Sequence, residues 1–182
     1  MKVLWLVSFR PIGKSKSNDL FQSIFVDSIK SLNIDVYFSL TQFSEPNVKK
    51  FIKKKKIKNF YKNISKKQLP LGKKYSNKHM LLNALDQFIK KGKFNYLVFS
   101  TADIIVPNNL FNELKKIHMK NFCAFVFPNT QVINGELKNT FWPYFGIDLI
   151  IFKIDKKKAR EFREIIKFYN QYDWGIIENF YF

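Results

Sequence analysis

The segment Asn95-Tyr-Leu-Val-Phe-Ser-Thr-Ala-Asp-Ile-Ile-Val-Pro107 constrains the fold more than any other part of the chain. A continuous apolar run of strand length belongs in the middle of a sheet covered on both faces, as in parallel sheets flanked by helices. The run halts at Ser100-Thr101-Ala102-Asp103 and then resumes. Polar residues at the C-terminal end of such a strand lie where open α/β sheets hold ligands. Asp103 therefore has two readings: a functional carboxylate, or a turn residue capping the entry to the helix after Pro107.

The elements around that strand alternate. Residues 3–9 read as a first strand and residues 18–32 as a helix, with Leu20, Ile24, Ile29 and Leu32 roughly on one face and Ser17 or Asn18 at the cap. Residues 34–40 form a second strand. A Lys-rich stretch runs on to Lys74, where Pro70 and Gly72 mark a loop. Residues 76–91 give an amphipathic helix ended by Gly92, which delivers the chain into the strand at 96–100. A short helix at 108–118 and a strand at 122–127 follow. Asn134-Gly135 is a two-residue hairpin signal between 130–133 and 136–138. Residues 148–153 form a last strand and 155–169 a last helix. This order predicts an α/β fold, a single Rossmann-like domain over residues 1–182 with a mixed, mostly parallel sheet flanked by helices. Tyr181-Phe182 closes an apolar-aromatic run, so a further C-terminal segment is expected.

At 182 residues the chain is long enough to bury a core without metals or disulfides. Its one cysteine, Cys123, sits in an apolar run and has no internal partner. A reducing, cytoplasmic setting is expected. The N-terminus has only about seven apolar positions before Arg10-Pro11, short for a secretory leader. No stretch reaches the roughly 18 apolar residues of a spanning helix.

The net charge of +18 invites a nucleic-acid reading, yet of 32 basic residues all but Arg10, Arg160 and Arg163 are lysine. Base and phosphate recognition favours the bidentate Arg fork. The dense block from Lys49 to Lys62 has interleaved apolar residues. It has three readings: a solvated helix face, a peripheral contact with an anionic membrane at the inner surface, or a track for a phosphate backbone. A non-enzymatic module binding nucleic acid or anionic membrane through this block is the alternative to an enzyme.

Several features, taken in order, resemble the nucleotide-sugar glycosyltransferases of the GT-A fold. They are the strand ending in Ser8-Phe-Arg-Pro11, the helix with Asn77, Lys78 and Asn83 running into an apolar strand, and the strand-end acid followed by Ile-Ile-Val-Pro107. Gly146-Ile-Asp148 and Trp174-Gly-Ile-Ile-Glu178 come later. The resemblance implies transfer of a sugar from a nucleotide-sugar donor to a glycan or lipid-linked acceptor, in the making of a surface-glycan precursor. The family motif is Asp-x-Asp, whose carboxylates hold Mg²⁺ or Mn²⁺ against the diphosphate leaving group. Here the triplet is Thr101-Ala102-Asp103, with one acid absent. By resemblance Asp103 is the metal contact, and Arg10, Asn77, Lys78, Thr101, Ala102 and Asp103 bind the nucleotide sugar, with Lys73 and Lys74 as further phosphate contacts. Glu178 is the implied catalytic base with Asp173 as its alternative, and Asp148 and Trp174 are implied at the acceptor site. Asp173 also reads as a helix cap. A transferase that keeps the fold without turnover is a further alternative.

His79 and His118 lack metal-ligand spacing with each other or with Cys123. No Gly-x-Gly-x-x-Gly is present, and Gly13-Lys14-Ser15 lacks the first glycine of a phosphate-cradling loop, since Ser8 stands there. Dinucleotide oxidoreductases and P-loop enzymes are thereby disfavoured.

Overall fold

Strand β1 (Lys2–Leu6) is the axis of the molecule, because its side chains alternate between two separate cores. Val3 and Trp5 enter one apolar cluster and Leu4 and Leu6 the other, all fully buried. The computed structural model describes residues 1–43, 45–65, 77–117, 122–125, 130–133, 136–139 and 149–168. Helix α1 (Lys16–Lys30) buries Phe25, Val26 and Ile29 against the first face. Helix α3 (Asn77–Lys91) buries Met80, Leu81, Ala84, Leu85 and Phe88 against the second. Each fully buried side chain of this size contributes roughly 1.5–3 kcal/mol, so the helical layers are held mainly by these apolar faces.

The sheet has six strands in the order β3-β2-β1-β4-β8-β5. β2 (Asp35–Phe43), β3 (Asn59–Ile64) and β4 (Tyr96–Ser100) run parallel to β1, with Val3 opposite both Val36 and Tyr96. β8 (Leu149–Phe152) is reversed between β4 and β5 (Phe122–Phe125), and pairs antiparallel with both. β6 (Thr130–Ile133) and β7 (Glu136–Asn139) pair as a separate hairpin with Ile133 opposite Glu136, the two-residue connection that Asn134-Gly135 predicts. Helix α4 (Leu110–Lys116) joins α1 on the first face. Helix α5 (Lys156–Phe168) packs beside α3 on the second, where Arg163 Nε donates to Asp86 Oδ1 at 2.5 Å.

The fold is the α/β sandwich that the alternating elements predict, with two differences. The described part of the Lys-rich stretch, up to residue 65, holds regular elements that its composition does not suggest. It holds a short helix, α2 (Val48–Lys54), whose Val48 and Ile52 enter the first core, and then β3 at the sheet edge. Lysines suit such an edge because they discourage pairing with another chain. Helix α1 also begins earlier than expected. Ser15, extended in backbone, caps it by accepting from the Asn18 N–H, so neither Ser17 nor Asn18 is the cap.

Candidate functional site

A parallel sheet in this order leaves a crevice between the carboxyl ends of β1 and β4, where the connections leave in opposite directions. A cleft of about 380 Å³ lies there. The loop after β1 supplies Arg10 and α1 supplies Asn18 and Gln22. The start of α3 supplies Asn77, and the end of β4 supplies Thr101, Ala102 and Asp103. Residues 93 positions apart thus meet, with the Arg10 guanidinium 3.5 Å from the Asp103 carboxylate and bonded to Asn18 Oδ1 at 3.3 Å. The Arg10 and Asp103 side chains are 63% and 44% exposed, so their pair adds little to stability and both remain open to a ligand.

What holds Arg10 in place is an amide scaffold. Gln42, buried at the end of β2, accepts from the Phe9 N–H at 3.0 Å and donates its Nε2 to the Phe9 carbonyl at 3.3 Å. Gln22, buried on α1, accepts from the Arg10 N–H at 2.6 Å. Further along the loop, Gly13 at φ +89° turns the chain and gives its N–H to the Asp19 carboxylate at 2.9 Å. Beneath β4, Trp5 Nε1 donates to Ser100 Oγ at 2.8 Å and Ser100 Oγ donates to the Thr101 carbonyl. The polar break is therefore fixed from inside the sheet. Asn77 Nδ2, Gln22 Nε2 and Thr101 Oγ1 are buried around the cleft without a hydrogen-bond partner among the described residues. Unpaired buried groups are costly, and a cleft lined by residues that carry them suits a polar ligand.

The structure brings Arg10, Asn77, Thr101, Ala102 and Asp103 to one cleft. Lys78 does not join them. It is buried on the α5 side of α3, where its ammonium donates to the Lys167 carbonyl at 2.9 Å and burial lowers its pKa. A phosphate contact from Lys78 is thus not what this geometry provides. Neighbouring His79 is likewise held below its usual range, first by burial and then by Lys78 and Lys62. Lys73, Lys74, Asp148, Asp173, Trp174 and Glu178 lie outside the described residues.

Gln22, Gln42 and Asn18 escape a reading based on charged motifs. For the two glutamines the signal is a polar side chain at a position whose neighbours are core: Gln22 shares the buried face of α1 with Phe25 and Val26, and Gln42 ends a buried run in β2.

No family model matches this sequence, and neither does any curated protein. Solved structures do match. One is a protein assigned as a nucleotide-diphospho-sugar transferase from Desulfovibrio desulfuricans G20, with TM-score 0.52 at 15% identity over 93% of this chain and 68% of that one. Another is the 4-diphosphocytidyl-2C-methyl-D-erythritol synthase of Anaerococcus prevotii DSM 20548, with TM-score 0.54 at 12% identity over 98% of this chain and 82% of that one. The fold is GT-A-like. At these identities the likeness is one of backbone architecture.

The described residues of the cleft do not by themselves make a complete site for a divalent ion. Among the described residues no group of three or more His, Cys, Asp or Glu side chains is placed to hold a metal. Asp103 is moreover already faced by a guanidinium. Hard cations such as Mg²⁺ take carboxylates, phosphates and water, and the described lining of the cleft offers two carboxylates, Asp103 and Glu45 from the loop after β2.

Proposed function

We propose that the cleft binds a nucleoside-diphosphate sugar and that the protein transfers the sugar from it to a glycan or lipid-linked acceptor. The observation that carries this reading is the meeting of Arg10 and Asp103 at the carboxyl ends of β1 and β4, within a GT-A-like fold. Arg10 meets the diphosphate, for which a planar guanidinium offers two parallel donors. As the bond between the anomeric carbon and the diphosphate oxygen breaks, negative charge grows on the leaving group. A cation fixed there by a rigid loop stabilises it without reorganising. Asp103 holds Arg10 in register and presents its other carboxylate lone pairs to donor hydroxyls.

On the acceptor side, Glu178, or Asp173 in its place, takes the hydroxyl proton as the acceptor oxygen bonds to the anomeric carbon. Asp148 and Trp174 bind the acceptor. These four roles rest on the sequence resemblance. The nucleoside diphosphate leaves with the electrons of the broken bond, and the proton remains on the carboxyl group.

Thermal melts with UDP, CDP, GDP and ADP, each with Mg²⁺ and with EDTA, test the reading. A ligand at a hundred times its Kd stabilises by about 2.7 kcal/mol, which for a domain of this size raises Tm by roughly 5–10 °C. At least one nucleotide is expected to do so, to retain most of the shift in EDTA, and to lose it with Arg10→Ala. Flat melts with every nucleotide would sink the proposal. A shift unchanged by Arg10→Ala would place the ligand elsewhere.

A further inference from the structure

The end of the sheet opposite the cleft has a charge pattern that catalysis at the cleft leaves unused. Helices that follow parallel strands run back toward the strands' amino ends, so α1 to α4 all finish there. Their last turns carry Lys30, Lys53 and Lys54, Lys90 and Lys91, and Lys115 and Lys116. Favourable interaction with the helix dipole accounts for a lysine or two at each of those ends.

It does not account for the rest. Lys56, Lys58, Lys93 and Lys153 are exposed in the connections at the same end. The reversal of β8 makes α5 start there too, with Lys156, Lys157 and Lys158 in its first turn and no acid among them. Three cations at a helix amino terminus oppose the dipole. The acids available at this end are few. Asp27, Asp35 and Glu113 are taken up by Lys55, Lys58 and Lys116, and Asp155 caps α5 through the Lys158 N–H. Two apolar side chains, Met1 at 41% and Ile117 at 52% exposure, stand among the lysines.

We propose that this lysine-covered end docks on an anionic phospholipid surface. The surface spans the ends of several helices and is not built around one groove. It carries compact ammonium groups where nucleic-acid binders use Arg forks, and the described arginines lie elsewhere: Arg10 at the cleft, Arg160 and Arg163 further along α5. Exposed apolar groups among the lysines suit shallow insertion at the headgroup level. Docking in this way turns the cleft away from the bilayer, toward the aqueous phase. The inference stands independently of what the cleft binds.

Vesicle co-sedimentation of the full chain tests it. The probes are phosphatidylcholine vesicles with and without phosphatidylserine, and a DNA duplex at the same ionic strength. Two variants are compared, each losing four charges: Lys93, Lys153, Lys156 and Lys157 to Gln at the docking end, and Lys14, Lys16, Lys50 and Lys62 to Gln elsewhere. Circular dichroism confirms that both fold. Binding to phosphatidylserine vesicles alone is expected, weakening steeply as salt rises. Each lysine near an anionic surface is worth about fivefold, so the first variant, with four fewer, should lose on the order of several hundredfold in affinity and the second far less. No vesicle binding at low salt, equal losses in the two variants, or tighter binding to the duplex than to the vesicles would each overturn the proposal.

Discussion

Replacing Gln42 by Leu should damage both stability and ligand binding although Gln42 does not line the cleft. The amide is 2% exposed and satisfies both backbone groups of Phe9. Leucine has nearly the same volume, so cavity effects are small, and the cost comes from stranding the Phe9 N–H and C=O. A buried polar group without a partner costs about 1–3 kcal/mol, and two of them, partly relieved by water entering beside the cleft, give about 2–4 kcal/mol. For a domain of this size that is a fall in Tm of roughly 5–15 °C. Urea unfolding measures the loss directly. Gln42→Glu is the informative companion: its carboxylate can accept from the Phe9 N–H but faces the Phe9 carbonyl, so it should be destabilised at neutral pH and partly recover as the acid protonates. Because Phe9 is followed by Arg10, nucleotide affinity should fall at least tenfold in Gln42→Leu at temperatures where it remains folded. A loss of stability under 1 kcal/mol, or full affinity in a measurably destabilised variant, would show that the amide does not hold the Arg10 loop.

Two further outcomes follow from the second face of the sheet. His79 has a folded pKa below its ordinary 6.5, so as pH falls the unfolded chain takes up a proton first. Stability is then full above pH 6.5 and is lost as pH drops from 6.5 toward the folded value; urea midpoints at pH 7.5 and 5.5 should show the fall, and His79→Gln should flatten it. The Arg163–Asp86 pair, 25% and 32% exposed, ties α5 to α3, and a double-mutant cycle with Arg163→Met and Asp86→Asn should give a coupling of about 1 kcal/mol that shrinks in high salt.

The corner where Arg10 meets Asp103 is legible because its elements carry strong one-dimensional signals. β4 is uninterrupted apolar sequence ended by a polar tetrad, and Arg10 is a scarce residue directly after a strand. What the sequence hid depends on who packs beside whom. Lys78 shares a helix end with Asn77, yet one residue of rotation sends Asn77 to the cleft and Lys78 to α5, and nothing local says that α5 will be there. Helix α2 and strand β3 are obscured because each apolar anchor, such as Ile52 or Ile64, is surrounded by lysines and lacks a clean period. The start of α1 was ambiguous because Ser15, Ser17 and Asn18 are all competent caps. The acceptor-side candidates fall outside the described residues.

The central place of β1 has a consequence for how this protein must be made. β1 is made before both of the strands that flank it, β2 on one edge and β4 on the other. The second edge waits for residues far downstream: the bond from the Lys2 N–H to Asn95 Oδ1 spans 93 residues. At synthesis rates of about 5–20 residues per second, a Val-Leu-Trp-Leu strand stays open along one side for roughly 5–20 s. A slowed ribosome or a weakened β4 would lengthen that interval, and with it the time in which another nascent chain can take the place of Tyr96 to Phe99.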